Sequence, residues 1–280
     1  MLRAPLVVLL LVANMVRWGL PLVLLGIVKF AVHMTAPRSR LRTRVILALA
    51  RLAERWVAGN DRIFDRMLPV EWDIEGIGDD VRPPGHYLII SNHVSWVDIF
   101  VLFRAFHGRA AFIRFFLKQQ LIWFPIVGQA CWALEFPFMR RYTPEYLAKH
   151  PEKRGKDLET TRRACQRYRN FPVAVANFVE GTRFSRRKRD EQPSPYRHLL
   201  RPRVGGISFV FDSLGEYLDA TYDVTIAYPG GETTLWAFIS GKLKRVVVRA
   251  RRVEPPEPEW VRPWIEGLWR EKDALLDSLV

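Results

Sequence analysis

Cysteine is nearly absent from this 280-residue chain: Cys131 and Cys165 are the only two. Two such residues, in stretches that read as buried or helical, leave no disulfide framework and no Cys-rich zinc site to be read. A Gly-x-Ser-x-Gly nucleophile elbow is also missing, which argues against a hydrolase built on an activated serine. Nor is there an internal repeat or a second independent domain, and the length suits one α/β domain with a substantial core. Acidic residues are scarce, 29 Asp+Glu against 43 Lys+Arg, giving a formal net charge of +14. Such a balance favours a polyanionic partner, either nucleic acid or an anionic membrane surface. A recognisable nucleic-acid module is lacking, and the aromatics are not interleaved with the cations in a stacking pattern, so nucleic acid is set aside.

The N-terminus supplies the other partner. Residues 4–34 are nearly all apolar, with Arg17 and Lys29 as the charged interruptions. One helix over that stretch would run about 46 Å, well beyond a hydrocarbon core of about 30 Å. Gly19 and Pro21 predict a break, hence two short helices, 4–17 and 21–35, forming a hairpin that dips into one leaflet rather than a true span. A small-x-small cleavage site does not follow the first apolar run, so a removed signal peptide is not expected. Arg38, Arg40, Arg42 and Arg44 come next and place the following domain in the cytoplasm. Residues 41–58 read as a basic amphipathic helix that lies either on the membrane or on the domain. The ten tryptophans suit a membrane-surface protein, or simply a core.

Two polar clusters carry chemistry. Asn92-His93-Val94-Ser95-Trp96-Val97-Asp98 follows the apolar run Tyr87–Ile90, which reads as a buried strand. A strand that ends in Ser-Asn-His brings those side chains to the rim of a sheet, where α/β proteins place their chemistry. His93 is the group suited to take a proton near neutral pH, and Asp98 the carboxylate to fix its tautomer. Within one helix the two would diverge by roughly 140°. Their meeting therefore predicts His93 in a loop and Asp98 inside the helix that follows, with Ser95 capping it. The second cluster, Phe178-Val179-Glu180-Gly181-Thr182-Arg183, follows the strand-like Val173–Ala176. Gly181 permits a tight turn beside a ligand, Thr182 offers a hydroxyl, and Arg183 a planar fork for phosphate oxygens.

Together these clusters resemble the glycerophospholipid acyltransferase family, the PlsC type, which carries Asn-His-x4-Asp followed by Phe-x-Glu-Gly-Thr-Arg at about this separation. Phe138-Met139-Arg140-Arg141 is similar to the family's second block. Aligning Phe138 with its aromatic makes Arg141 the family arginine, with Arg140 departing from the usual acidic or neutral residue. Val224-Thr225-Ile226-Ala227-Tyr228-Pro229 is similar to the fourth block, in the form of the lysocardiolipin subgroup. Phe116-Leu117-Lys118-Gln119-Gln120-Leu121, the stretch 154–163 and the closing 268–273 resemble the bacterial YihG-type subgroup.

The resemblance implies a single mixed-sheet α/β acyltransferase domain with helices on its faces. It would occupy 37–280, with its core at 86–230, an amphipathic helix at 258–279 and a membrane motif at 1–36. It implies transfer from an acyl thioester, acyl-CoA or acyl-acyl carrier protein, to the free hydroxyl of 1-acyl-glycerol-3-phosphate, with His93 as base, Asp98 orienting it, and no cofactor or metal. Remodelling of lysophosphatidylglycerol or a lysocardiolipin, or a non-catalytic scaffold, are the other readings. Arg183 and Arg141 are expected to hold the acceptor phosphate, with Arg140 beside them and Glu180, Gly181 and Thr182 shaping the pocket. Lys118 either meets a headgroup or donor phosphate or only marks the interface. The cations 183–189, with Arg197, Arg201 and Arg203, are either a solvated loop or a contact for headgroup or carrier phosphates. Backbone N–H groups near the His93 loop are candidate oxyanion donors. The expected location is the bacterial inner membrane, active site facing the cytoplasm.

Overall fold

The computed structural model describes residues 3–36, 39–78, 81, 84–139, 146, 149–150, 162 and 165–280. Two long helices, α1 (Arg3–Thr35) and α2 (Arg40–Met67), precede an edge strand β1 (Glu71–Glu75) and the central strand β2 (His86–Ser91). Then come α3 (Val97–Phe106), β3 (Ile113–Phe115), β4 (Leu117–Lys118), α4 (Val127–Ala133) and β5 (Phe138–Met139). The second half holds β6 (Val173–Phe178), α5 (Arg186–Glu191), α6 (Gly205–Leu214), β7 (Ala220–Ala227), α7 (Leu235–Ser240), β8 (Arg245–Val253) and α8 (Val261–Leu279).

Six strands form one sheet in the order β1-β8-β7-β2-β6-β3, parallel except where β7 meets β8. The central strands are apolar runs rather than alternations because both faces are covered. Tyr87 and Ile89 point into one core, with Leu49 and Val57 of α2 and Val101 and Phe106 of α3. Leu88 and Ile90 point into the other, with Val210 of α6 and Ile265 and Trp269 of α8. The architecture is the mixed sheet with helices on its faces that the sequence implies.

Three local expectations are corrected. First, α1 is continuous through Gly19 and Pro21 rather than two short helices. A proline inside a helix removes one N–H and costs about 3 kcal/mol, but α1 buries residues on both sides of it, Val7 before and Leu22 and Val32 after. Lys29 adds a polar tether: its Nζ donates to the Ala133 carbonyl at 2.7 Å and pairs with Glu135 at 3.0 Å. The antiparallel hairpin is thus made by α1 with α2, and α2 lies on the domain. Second, the apolar stretch Ala133–Phe138, whose composition suits a strand or an interfacial element, is the end of α4 and a turn as far as residue 137; only Phe138 and Met139 pair, with Leu117 and Lys118. Third, the cationic stretch after Arg183 is partly helical, since Ser185 caps α5 by accepting from the Lys188 N–H at 3.3 Å. The charged helix expected over 154–169 lies outside the described residues except at Arg162 and from Cys165 onward.

Candidate active site

Three parallel strands deliver the site. β2 ends two residues before His93, β6 two before Glu180, and β7 immediately before Tyr228. All three side chains therefore emerge at the carboxyl edge of the sheet, the rim at which open α/β sheets bind ligands. Asn92, fully buried, locks this edge: its amide donates to the Ile226 carbonyl and accepts the Ile226 N–H, each at 2.9 Å. β2 and β7 are thereby tied one residue before the His93 loop.

His93 and Asp98 meet as the spacing requires. His93 sits in the loop and Asp98 in the first turn of α3, with Nδ1 donating to Asp98 Oδ2 at 2.8 Å. The same oxygen accepts the N–H groups of Val94 and Ser95 at 2.7 and 2.9 Å, and Oδ1 accepts the Tyr228 hydroxyl at 2.5 Å. Four donors converge on a carboxylate with no exposed surface. A group so surrounded serves as an acceptor and fixes the imidazole with Nδ1 protonated. No described residue bonds Nε2, and the His93 side chain keeps 14% of its surface exposed. The ring itself lies flat on Phe178, centroids 4.1 Å apart at 14°, and Phe178 stacks in turn near Phe115 at 5.6 Å. Ser95 acts at the start of α3, its hydroxyl accepting from Val97 N–H at 3.0 Å and donating to the Thr233 carbonyl.

The N–H groups of residues 93–95 are already engaged. Val94 and Ser95 donate to Asp98, and His93 N–H donates to Glu180 at 2.9 Å. They are therefore not free oxyanion donors in this arrangement.

Glu180 lies beneath the His93 loop, its first oxygen accepting the His93 N–H. It is buried, and its second oxygen accepts the Leu200 N–H at 2.9 Å. Burial pushes its carboxyl up to about 8, against the pull of the Leu200 and His93 N–H groups. An unfolded Glu titrates near 4.3, so between about pH 4.3 and 8 the folded chain holds a proton that the unfolded chain releases. This group's contribution to stability is fully present below that window and is lost as the pH rises through about 8. The melting temperature of the wild type should accordingly fall more between pH 6 and pH 8 than that of Glu180→Gln; equal slopes would refute the assignment.

Gly181 adopts φ +69°, a left-handed turn in which a Cβ would also crowd the Arg203 side chain. That turn presents Thr182 and Arg183 outward. The Arg183 guanidinium stacks 4.8 Å above the Trp96 ring, and the Phe184 N–H donates to the His93 carbonyl at 2.7 Å, joining the two motif loops. Lys188 donates to Thr182 Oγ1 and to the Arg183 carbonyl, both at 2.8 Å. Partial burial and the neighbouring Arg183, Arg187 and Lys118 lower the Lys188 pKa. Lys118 is exposed at the end of β4, within electrostatic reach of this group. Arg140 and Arg141 lie outside the described residues. No cluster of three or more His, Cys, Asp or Glu able to hold a metal occurs among the described residues.

Tyr228 lies within the fourth-block motif, and the sequence alone assigns it no role. The available signal was a polar ring immediately after a buried strand, on the same edge as His93. Tyr228→Phe should lower turnover by about tenfold, the loss expected for one hydrogen bond to a charged group. Unchanged turnover would reduce Tyr228 to a packing residue.

An imidazole locked on a four-donor carboxylate, on a loop joined to a cation-bearing turn, defines a base-bearing α/β protein suited to an anionic substrate. A family model described as Acyltransferase matches residues 73–229, and the chain belongs to that family. It is 26% identical over 213 residues to 1-acyl-sn-glycerol-3-phosphate acyltransferase 3 of Arabidopsis thaliana, covering 69% of this chain and 53% of that one. Against 1-acyl-sn-glycerol-3-phosphate acyltransferase epsilon of Mus musculus it is 24% identical over 227 residues, covering 71% and 59%. The chain thus spans little more than half the length of these relatives. It is also similar to the crystal structure of the 1-acyl-sn-glycerophosphate acyltransferase PlsC from Thermotoga maritima, at 18% identity and a TM-score of 0.48, covering 94% of this chain and 97% of that one.

Proposed function

We propose that the protein is a 1-acyl-glycerol-3-phosphate O-acyltransferase of phospholipid biosynthesis. The observation that carries this reading is the His93–Asp98 pair on a loop that the Phe184 N–H ties to the cation-bearing segment 183–188. Membership of the Acyltransferase family and the names of the relatives support it. His93 Nε2 removes the proton from the free hydroxyl of the acceptor, and the oxygen attacks the carbonyl of an acyl thioester. The tetrahedral intermediate collapses, the carbon–sulfur bond breaks, and the imidazolium returns its proton to the leaving thiol of coenzyme A or acyl carrier protein. The nucleophile belongs to the substrate, so no side chain is acylated. Arg183 holds the acceptor phosphate with Lys188 and Thr182 beside it, and the resemblance adds Arg141 and Arg140. Holding that phosphate brings the hydroxyl within attack distance of the thioester. Lys118 faces the same anions.

The site works at a membrane surface. α1 presents an outer stripe of Leu9, Val12, Val16, Leu20, Leu24 and Ile27, all exposed, while its opposite face is buried on the protein from Ala4 to Val32. A helix held to its domain along its whole length lies in one leaflet rather than crossing the bilayer. Trp123 and Phe124, 82% and 57% exposed, suit the headgroup layer. The arginines after α1 orient the domain to the cytoplasm, and the inner membrane of a bacterium is the proposed location.

The test is acyl transfer by the detergent-purified chain, offered acyl-CoA or acyl-acyl carrier protein and a panel of lysophospholipids. Highest turnover on 1-acyl-glycerol-3-phosphate is expected. Turnover on lysophosphatidylglycerol or a lysocardiolipin alone would replace this reading with a remodelling enzyme.

A further inference from the structure

A groove between α1 and α2 has no part in the chemistry described above. It is open to solvent, with a volume of about 470 Å³, and is bordered by Ala13, Arg17 and Trp18 of α1 and by Gly59, Arg62 and Arg66 of α2. None of these residues touches the His93 site. The groove floor is built: the Asn14 amide donates to the Trp56 carbonyl and to Asn60 Oδ1, each at 2.9 Å. The two helices approach so closely there that a Cβ on Gly59 would collide with the Asn14 side chain.

The charge of this groove is unanswered by the protein. Arg62 and Arg66 stand one turn apart on the same face of α2, a like-charge spacing that repels. Arg17 faces them from α1. Among the described residues no carboxylate pairs with any of the three. The one interaction found for them is the Arg17 guanidinium 5.3 Å above the Trp18 ring. The acids available on α2 turn elsewhere, Asp61 and Asp65 both pairing with Arg104 at 3.4 and 2.7 Å. Arg17 also interrupts the apolar helix that the proposed function lays in a leaflet, between exposed Val16 and Leu20. A long cationic side chain in such a helix pairs with a partner or reaches to the headgroup layer, where lipid phosphates lie. Planar guanidinium forks match phosphate oxygens in pairs, and basic pockets between membrane helices bind phospholipid headgroups. Leu10, Ile63 and Met67 complete the wall with apolar surface on which an acyl chain can lie.

We infer that the α1–α2 groove is a second lipid site, holding the phosphate of one anionic bilayer phospholipid between Arg17, Arg62 and Arg66. It rests on the placement of α1 in a leaflet but not on the catalytic reading. The bound lipid neutralises three cations that otherwise repel, and so fixes the hairpin at one depth beside the catalytic domain.

Native mass spectrometry of the full chain, delipidated in a maltoside detergent, tests this directly. The chain is offered dioleoylphosphatidylglycerol, dioleoylphosphatidylcholine or inorganic phosphate. One phosphatidylglycerol per chain should be retained, with at least about tenfold preference over phosphatidylcholine, as expected for loss of one or two charge-assisted bonds. Arg62→Gln with Arg66→Gln should lose at least about tenfold of that retention, while Arg183→Gln should bind as the wild type does. Should the glutamine pair fail to fold, Arg62→Lys with Arg66→Lys keeps the charge, removes the forks, and should still lose about threefold. Equal retention of phosphatidylcholine, unchanged binding by the variants, or loss on Arg183→Gln alone would overturn the proposal. Displacement of the lipid by millimolar phosphate would overturn it in favour of a free-anion site. Sedimentation with phosphatidylcholine vesicles reads the leaflet placement separately, and a chain that fails to sediment would remove the premise itself.

Discussion

Replacing His93 with alanine should lower kcat/KM for acyl transfer about 1000-fold, or about 4 kcal/mol of transition-state stabilisation, while leaving the fold in place. The activity loss follows because no other base stands at the rim among the described residues. Glu180 is buried beneath the loop with both oxygens engaged by N–H groups, and Asp98 receives four donors. Neither can reach a substrate hydroxyl. The stability effect should be small because the imidazole stands at the edge of the core, stacked on Phe178. His93→Ala also retains Val94, Ser95 and Tyr228 as donors to Asp98, so the carboxylate is not left bare. Circular dichroism and a melting curve would confirm the fold. Activity above a tenth of the wild type in a folded sample would remove His93 from the mechanism.

The second large effect is on stability, at the far side of the sheet. Lys272 of α8 is fully buried; its Nζ donates to the Val224 carbonyl at 2.7 Å and to Thr225 Oγ1 at 3.0 Å, and pairs with Asp223 at 2.7 Å. Burial lowers its pKa, and Asp223 opposes that shift. Removing one member of a buried pair leaves the other uncompensated, typically at a cost of 3–5 kcal/mol. Arg251, 3.2 Å from Asp223, answers part of that charge. Lys272→Met is therefore expected to lose about 3 kcal/mol, roughly 6–12 °C in melting temperature for a chain of this size. Because β7 carries Ile226 to Asn92 and Tyr228 to Asp98, the loss should also reach turnover. Asp223→Leu added to Lys272→Met should recover part of the stability, since an apolar replacement of a whole buried pair is often neutral. A melting temperature within 2 °C of the wild type for Lys272→Met would show that α8 is not anchored by this pair.

Much of this site was legible before any coordinates. The motif spacing placed His93 in a loop and Asp98 in a helix, and the apolar runs located β2, β6 and part of β7. What the chain concealed has a common cause: interactions between residues far apart in sequence. Asp98 and Tyr228 are separated by 130 positions, and Lys272 and Val224 by 48. Neither pairing leaves a local pattern. Pro21 is the opposite case, a strong local signal outweighed by packing that no local window contains. Lys29 likewise reads as a charge in a membrane segment, yet it is buried against Ala133 and Glu135. α6 leaves little local signal because Gly205-Gly206 at its start reads as a loop, although Ile207, Val210 and Leu214 have helical spacing and are all buried.

The most direct measurement is a single turnover with acyl-CoA labelled in its acyl group and 1-acyl-glycerol-3-phosphate, enzyme in excess. The account predicts label moving straight into phosphatidic acid, with one thiol released per product and no label on the protein at any time. Label accumulating on the protein, or appearing as free fatty acid in place of phosphatidic acid, would contradict it.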